Sequence, residues 1–250
     1  MDLGGATVVV TGASHGIGRA TAFALAEEGA TVVAVGRDEP SLEDVTNQVG
    51  GSYVVADVAE PGHATAVVAH ALGEHGRIDA VIANAGIGHT GPFASMPLSR
   101  IHELLDINLR APMLLARAAV PSLVEQGSGA LVFVTSIAGV VPVPHEAAYC
   151  SSKTALEAFA DSLRAELRGS GVAVSTVRPG VVRTAFHESR ELPYDRRWPR
   201  PLAAERIAAA VVDVVHSGAE HRTEPRWLDV AAWLRTSSPW LYRSLSRRFG

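Results

Sequence analysis

Lysine and cysteine are almost absent from this chain. Of its 22 lysine and arginine residues, Lys153 is the only lysine. Cys150 is the only cysteine, so no internal disulfide can form, and the chain fits a reducing compartment. A residue type used once invites a specific explanation, and Lys153 stands four residues after Tyr149.

The chain also lacks a strong charge of one sign and long hydrophobic runs. Its formal net charge of -4 provides no positive field, so we expect no nucleic-acid partner. No apolar run approaches the roughly 18 residues of a membrane span, and no signal-peptide pattern follows Met1. We therefore expect a cytoplasmic protein. Hydrophobic residues make up 47 % and charged residues 19 %, which favours a globular fold.

Short β-branched runs alternate with longer helical segments along the chain. Six continuous apolar runs predict parallel strands buried on both faces, at residues 6–12, 30–36, 51–57, 78–86, 129–136 and 171–180. Helices are predicted at 16–29, 39–50, 61–76, 98–127, 146–171 and 203–218. This alternation predicts an α/β fold, a doubly wound parallel sheet of the Rossmann type with helices on both faces and one domain over residues 1–250.

Three glycines follow the first predicted strand, in the stretch TGASHGIG. Gly12, Gly16 and Gly18 would let the backbone turn tightly and approach a ligand, and the next helix would offer its N-terminal N–H groups to a pyrophosphate. Their spacing differs from G-x-G-x-x-G, and a purely structural turn would use glycine as well. The position of the turn, at the end of the first strand of an alternating fold, favours a dinucleotide site.

With these glycines the chain resembles the short-chain dehydrogenase/reductase family, whose glycine motif is T-G-x-x-x-G-x-G. The resemblance rests on motifs in the same order within residues 6–184: Thr11 to Gly18, Asp57-Val58, Asn84-Ala85-Gly86, Asn108, Ser136, Tyr149-x-x-x-Lys153, and PGVVRT from Pro179 to Thr184. It implies a mainly seven-stranded sheet and an NAD(P)-dependent oxidoreductase. It also implies a homodimer or homotetramer assembled through the helices that bear Asn108 and Tyr149.

The end of the second predicted strand bears on the choice of dinucleotide. An acidic residue there would bind the adenosine ribose of NAD, but this chain has Gly36 followed by Arg37, and an arginine suits the 2′-phosphate of NADP. Ser14 and His15 are further candidates for that phosphate. Asp38 keeps NAD as the alternative, because a register shift of one residue would bring its carboxylate to the ribose. Arg37 would also suit a solvated loop.

Tyr149 and Lys153 have the spacing of an acid–base pair on one helix. Residues i and i+4 share a helix face, so the phenol and the ammonium would point the same way. A free phenol has a pKa of about 10, and a neighbouring cation lowers it. An arginine would bring the same charge on a wider, planar group. The hypothesis is that Tyr149 transfers the proton, while Lys153 tunes it and binds the cofactor ribose.

The resemblance assigns the other site residues. Ser136 would hold the substrate oxygen, and Asn108 would order a water on the proton path behind Lys153. The expected cofactor-binding residues are Gly12, Ser14, His15, Gly16, Ile17, Gly18, Arg37, Asp57, Val58, Asn84, Ala85, Gly86, Tyr149, Lys153, Pro179, Gly180, Val182 and Thr184. No metal ion is expected. Each catalytic candidate alone has a structural explanation, and only their joint occurrence in order points to catalysis.

Two late segments hold most of the remaining aromatic and basic residues. Residues 185–201 would form a substrate loop over a lipophilic compound, with Val141, Val143 and His145 on the opposite wall; a solvated loop is the alternative. The tail, residues 225–250, holds three of the four tryptophans and five arginines against one acid. Packing on the protein's own body or on another subunit is favoured for this tail, ahead of peripheral contact with an anionic membrane.

These patterns together predict an NADP(H)-dependent oxidoreductase that interconverts a ketone or aldehyde and an alcohol by hydride transfer. Two alternatives stay open. The same residues would also serve an NAD(P)-dependent epimerase or dehydratase, and a dinucleotide-sensing protein would keep the fold without the chemistry.

Overall fold

Seven parallel strands form one sheet in the computed structural model, which describes residues 1–184, 186, 200–238 and 240. The strands are β1 (Thr7–Thr11), β2 (Thr31–Gly36), β3 (Ser52–Val55), β4 (Ala80–Ala83), β5 (Gly129–Val134), β6 (Val172–Pro179) and β7 (His221–Glu224). Their order across the sheet is β3-β2-β1-β4-β5-β6-β7, and all neighbours are parallel. This order confirms the predicted doubly wound fold and places its topological switch point between β1 and β4.

Helices pack on both faces of the sheet. In chain order they are α1 (Gly16–Glu27), α2 (Glu39–Val49), α3 (His63–His75), α4 (Leu98–Leu105), α5 (Ala111–Gln126), α6 (Ala147–Glu166), α7 (Ala204–Ser217) and α8 (Leu228–Ser237). Buried side chains of α1, α2 and α7 share one core cluster, and those of α3, α5 and α6 share the other. The sheet therefore separates two cores.

Side chains along each central strand alternate between these two cores. Val8 and Val10 of β1 pack on the α1 side, where Leu25 is fully buried, and Val9 packs on the α5 side, where Leu123 is fully buried. Burying one such leucine contributes about 2 kcal/mol. Because both faces are covered, the strands have no polar face, which is why they read as continuous apolar runs.

The six strands that the sequence predicts are all present, whereas β7 has no apolar run to announce it. Its residues, HRTE, pair in parallel with Thr176–Pro179 at the end of β6. Thr223 and Glu224 are buried there. Pairing with an existing strand edge, and not hydrophobic pattern, makes this segment a strand.

The helix predicted at 98–127 is divided in the structure. A turn of π-helix, Asp106–Arg110, separates α4 from α5. Pro112 explains the division, because it has no N–H to donate to the carbonyl of Asn108 and its ring would collide with that carbonyl in a regular α-helix. Asn108 thus lies in a local widening of the helix, a feature often found at functional sites.

The two late segments are described only in part. Residues 185 and 187–199 of the predicted substrate loop and residues 239 and 241–250 of the tail lie outside the described residues. Helix α8 has no buried side chain, and Trp233 on it is 64 % exposed. Within the described ranges, every helix is too short or too polar to traverse a lipid bilayer.

Candidate active site

The glycine turn and the Asn84-Ala85-Gly86 motif meet at the switch point of the sheet. They follow β1 and β4, which are neighbours. The Thr11 hydroxyl accepts hydrogen bonds from the backbone N–H groups of Asn84 and Ala85, both at 3.0 Å. The Asn84 side-chain amide donates to the Thr11 carbonyl at 2.9 Å. These bonds lock the two motifs together at the edge where ligands of such sheets bind.

The glycines of the turn are required by close approach and by backbone conformation. Gly12 and Gly16 have φ values of 68° and 56°, in the left-handed region that side chains disfavour. A Cβ on Gly18 would lie 2.1 Å from the Gly12 carbonyl oxygen, so no larger residue fits there. Gly16 opens α1, whose first N–H groups face the turn. This cradle fits the pyrophosphate of a dinucleotide.

The PGVVRT segment reaches the same turn from the other side. A Cβ on Gly16 would lie 3.0 Å from the Thr184 methyl carbon. The Gly180 N–H donates to the Glu224 carbonyl at 2.7 Å, and Val182 forms a parallel bridge with Leu202. The segment is therefore held by backbone pairing beside the glycine turn.

Charged side chains at the end of β2 are exposed and loosely paired. Arg37, whose side chain is 67 % exposed, donates to Asp57 at 3.4 Å. His15 lies 3.7 Å from Asp38. A Cβ on Gly36 would lie 2.5 Å from the Ser14 hydroxyl oxygen. The residues that the sequence predicts for the adenosine phosphate therefore lie together at the end of β2. The Ser14 hydroxyl occupies the space that a side chain at position 36 would need.

Tyr149 and Lys153 lie one turn apart on α6 and are both buried, with 7 % and 4 % exposure. The Lys153 ammonium donates to the Val134 carbonyl, at the end of β5, at 3.0 Å. Burial lowers the pKa of Lys153 from its ordinary 10.5 to about 8, and the neighbouring carboxylate of Glu157 opposes that shift. Among the described residues one hydrogen bond holds this buried ammonium, which leaves two of its donors for neighbouring groups.

Asn108 joins the π-turn to both the β4 loop and α6. Its side-chain oxygen accepts from the Ile87 N–H at 2.8 Å, while its amide donates to the Ile87 carbonyl at 2.9 Å and to the Ser152 hydroxyl at 3.2 Å. The Ser152 hydroxyl donates to the Tyr149 carbonyl at 2.8 Å. Asn108 therefore fixes the loop after β4 against the helix that carries the candidate acid.

Gly86 shows that Asn108 and Lys153 converge. A Cβ on Gly86 would lie 3.2 Å from the Asn108 side-chain oxygen and 3.4 Å from the Lys153 nitrogen. Both polar groups therefore border the backbone of the Asn84-Ala85-Gly86 motif. A side chain at position 86 would stand between the motif and the buried ammonium.

Ser136 begins the loop after β5. Its hydroxyl oxygen accepts the Ala138 N–H at 3.1 Å, which leaves the hydroxyl proton to be donated elsewhere. The loop is pressed against α6, because a Cβ on Gly139 would lie 3.1 Å from the Lys153 backbone carbonyl and the Thr154 hydroxyl donates to the Gly139 carbonyl at 2.7 Å. Ser136 is thus set on a rigid turn beside the Tyr149 helix.

Apolar side chains surround Tyr149. Its ring centroid lies 5.9 Å from that of Phe186, and it shares a buried cluster with Met96 and Ala138, against which Val143 packs. His145 of the predicted wall is exposed and has a left-handed φ of 66°, with its carbonyl accepting the Gly91 N–H. The expected apolar wall is therefore present at Val143, while His145 serves to join two loops.

The structure also shows contributors that the sequence did not single out. Ser152 connects motifs that are far apart in the chain, and its signal would have been a hydroxyl next to a motif residue. Glu157, one turn beyond Lys153, was detectable by extending the i+4 spacing. Val58 lies beside Thr11 and Ala85 in the lining of a small cavity.

A switch-point glycine cradle and a buried Tyr–Lys pair define a dinucleotide-binding enzyme of the Rossmann class. A family model for short chain dehydrogenases matches residues 6–194, and the chain belongs to this family of NAD(P)-dependent oxidoreductases. It is 39 % identical over 191 residues to a short chain dehydrogenase of Pseudocercospora fijiensis, covering 72 % of this chain and 61 % of the relative. It is 42 % identical over 185 residues to ketoacyl reductase HetN of Nostoc, covering 72 % of this chain and 64 % of the relative.

Among solved structures, the chain is similar to an alcohol dehydrogenase from Thermococcus sibiricus complexed with 5-hydroxy-NADP. The TM-score is 0.76 at 27 % sequence identity, over 87 % of this chain and 94 % of that one. The chain spans less than two thirds of the length of the P. fijiensis and Nostoc relatives.

Proposed function

We propose that this protein interconverts a ketone or aldehyde and an alcohol with NADP(H), using Tyr149 as the acid or base. One observation carries the proposal: Tyr149 and Lys153 are buried one helical turn apart, and the Lys153 nitrogen lies beside the Gly86 backbone together with the Asn108 side-chain oxygen. A purely dinucleotide-sensing protein would have no need of the proton-transfer residues.

The side chains divide the work of a carbonyl reduction. A bound nicotinamide dinucleotide supplies the hydride. The Ser136 hydroxyl, whose oxygen already accepts the Ala138 N–H, donates to the substrate oxygen. Tyr149 delivers the proton to that oxygen as the alcohol forms and takes it back in the reverse direction. Lys153, with one of its three donors bound by the Val134 carbonyl, stabilises the phenolate that Tyr149 becomes.

The preference for NADP is supported by the charges at the end of β2. Arg37 is exposed, and its 3.4 Å contact with Asp57 is long for a charge-assisted bond, so a phosphate dianion would replace it at little cost. The Ser14 hydroxyl, next to Gly36, occupies space that an acidic side chain at position 36 would need.

A lipophilic substrate is supported by the surroundings of Tyr149. Met96, Ala138, Val143 and Phe186 supply apolar contacts around the phenol and few polar ones. Such a wall favours a carbonyl flanked by hydrocarbon over a small hydrated one. The ketoacyl reductase activity named for the Nostoc relative is of this kind.

The proposed enzyme acts as a homodimer or homotetramer in the cytoplasm. Exposed apolar residues on the helices flanking Asn108, Leu105 and Met113, support a subunit interface there. The overall charge of -4 gives no support to a nucleic-acid partner.

The experiment is to follow oxidation of NADPH by absorbance with a series of aliphatic ketones and aldehydes of increasing chain length, with NADH in parallel. We expect net consumption of NADPH, with kcat/KM rising as the chain lengthens. Tight NADPH binding without consumption by any carbonyl would instead indicate a sensor. Conversion of a substrate without net consumption of cofactor would indicate an epimerase or dehydratase.

A further inference from the structure

Glu157 is a buried carboxylate that receives hydrogen bonds from three separate side chains. It is 5 % exposed. Arg178 on β6 donates to both of its oxygens, at 3.0 and 2.8 Å, and the Thr176 hydroxyl donates at 3.2 Å. The Thr135 hydroxyl donates to it as well. Four donated bonds satisfy a charge that would otherwise be very costly to bury.

The partners of Glu157 adjoin the residues assigned to the reaction. Thr135 immediately precedes Ser136, and Arg178 immediately precedes Pro179 of the segment beside the glycine turn. Glu157 itself lies one turn after Lys153 on α6. A single carboxylate therefore ties the ends of β5 and β6 to the helix that carries Tyr149 and Lys153.

We propose that Glu157, held by Arg178, is a positioning residue that keeps Lys153 in its charged form and holds the Ser136 and Pro179 segments in register with α6. This role rests on the proposed function, in which Lys153 stabilises the Tyr149 phenolate. Neither residue touches the substrate or the cofactor in this role, and both act through Lys153 and the strand ends.

The charged groups around Lys153 determine whether its pKa is raised or lowered. Burial favours the neutral amine, and the Glu157 carboxylate favours the ammonium. On the same helix the other titratable neighbours are Tyr149 and Cys150. Across the interface stands Arg178, which in turn feels the carboxylates of Asp161 and Asp229. Asn108 and Gly86, on the β4 side, carry no charge. Glu157 is therefore the anion that offsets the burial of Lys153.

Two single substitutions that break the same ion pair should move Lys153 in opposite directions. In Glu157→Gln the carboxylate is lost, so Lys153 should release its proton at lower pH. In Arg178→Gln the Glu157 carboxylate keeps its hydrogen bonds from the Thr135 and Thr176 hydroxyls, but the nearby arginine cation is lost. Because that cation disfavours a second positive charge, the pKa of Lys153 should rise. A purely structural ion pair predicts no such opposition.

The solitary lysine makes this measurable without any substrate. Protein labelled with 13C at lysine Cε gives one lysine signal, that of Lys153, and its chemical shift against pH reports the pKa directly. We expect a midpoint near pH 8 in the wild type. A neighbouring charge shifts a pKa by about one unit or more, so Lys153 should titrate about one pH unit lower in Glu157→Gln and higher in Arg178→Gln.

Loss of one partner of a buried pair threatens folding, so the double variant Glu157→Gln/Arg178→Gln is the necessary companion. Two amides can hydrogen-bond to each other and leave no unpaired charge. We expect the double variant to keep the wild-type circular dichroism and to have a Lys153 midpoint between those of the two single variants. An unchanged midpoint in Glu157→Gln, or shifts in the same direction in both single variants, overturns the inference. Absence of carbonyl reduction by the wild type would refute the proposed function alone, since this titration needs no turnover.

Discussion

The two ends of the candidate site are built on opposite principles. At the reacting end, Tyr149 and Lys153 are buried and Asn108 is fully enclosed, and short hydrogen bonds connect their segments. At the adenosine end, Arg37 and His15 are exposed, and they reach their acidic partners only at 3.4 and 3.7 Å. Folding fixes the side chains of the reacting end, whereas those of the adenosine end are open to solvent.

This contrast separates what each end can contribute. Charges act strongly in the low dielectric of a buried site, where little reorganisation is needed during the reaction. Exposed ion pairs are screened by water and salt, and each is worth at most about 1 kcal/mol. The reaction should therefore depend steeply on single buried groups, while the choice of dinucleotide should depend weakly on exposed ones.

Tyr149→Phe should give the largest effect, because it removes the transferred proton and leaves the shape of the buried end intact. A general acid contributes up to about 10⁴-fold, so we expect kcat for carbonyl reduction to fall by at least about 10³-fold. The affinity for NADPH, measured by fluorescence titration, should stay within a factor of about two. Substantial turnover in this variant would contradict the assignment of Tyr149 and with it the special status of the buried end.

Lys153 should make the stability of the protein depend on pH in an unusual direction. Its pKa is lowered from 10.5 to about 8 in the folded state, so between these values the unfolded chain holds a proton that the folded chain does not. At pH 7 the burial of the charged Lys153 therefore lowers the free energy of unfolding, and this penalty disappears as pH rises from 8 to 10.5. The full change amounts to about 3 kcal/mol.

Lys153→Met tests that dependence, since methionine has a similar length and no charge. Urea unfolding should show that the free energy of unfolding of the variant, minus that of the wild type, decreases by about 3 kcal/mol between pH 7 and pH 10.5. Other titrating groups are common to both proteins and cancel. A difference that stays constant over this range would mean that Lys153 is not buried as a charge.

Ser136→Ala comes next. Removal of one donor to a developing oxyanion costs about 10²-fold in kcat, and the hydroxyl of Ser136 is the donor proposed for the substrate oxygen. Loss of its bond to the Ala138 N–H should lower the melting temperature slightly. Ser136→Thr, which keeps a hydroxyl, is the matched control, and it should recover part of the rate. Equal kcat in the wild type and Ser136→Ala would remove Ser136 from the mechanism.

The sequence predicted the buried end better than its surroundings. The i+4 spacing of Tyr149 and Lys153 depends only on helix geometry, and the glycine turn depends on the absence of side chains. Both features can therefore be recognised in the sequence alone. The π-turn around Asn108 was missed because its residues suit a regular helix and only Pro112 interrupts the bonding. The residues of β7 have no apolar pattern, and that segment becomes a strand through pairing with β6.

The network around Glu157 was hidden for a different reason. Its partners Thr135, Thr176 and Arg178 are 19 to 22 residues away in the chain and meet it only where two strand ends reach α6. No local pattern records such contacts. The adenosine end was the reverse case, because Arg37, Asp38 and Asp57 were all noticed in the sequence, yet their exposure, which limits their energetic weight, required the structure.

Arg37→Ala should give the smallest effect. We expect the KM for NADPH to rise about fivefold, equivalent to about 1 kcal/mol, while the KM for NADH and both kcat values stay nearly unchanged. Because the side chain is exposed, the ratio of wild-type to variant KM should shrink as salt is raised. Arg168→Ala, which removes an equally charged exposed residue following α6, is the control and should leave both KM values alone.

An equal rise in KM for both dinucleotides would mean that Arg37 meets a part that they share and not the 2′-phosphate. A loss above about 10³-fold would show that this end is desolvated when the cofactor binds, since an exposed charge is not worth that much in water. The contrast between the two ends would then hold only for the protein without cofactor. With cofactor bound, the groups at the adenosine end would contribute as strongly as the buried groups do.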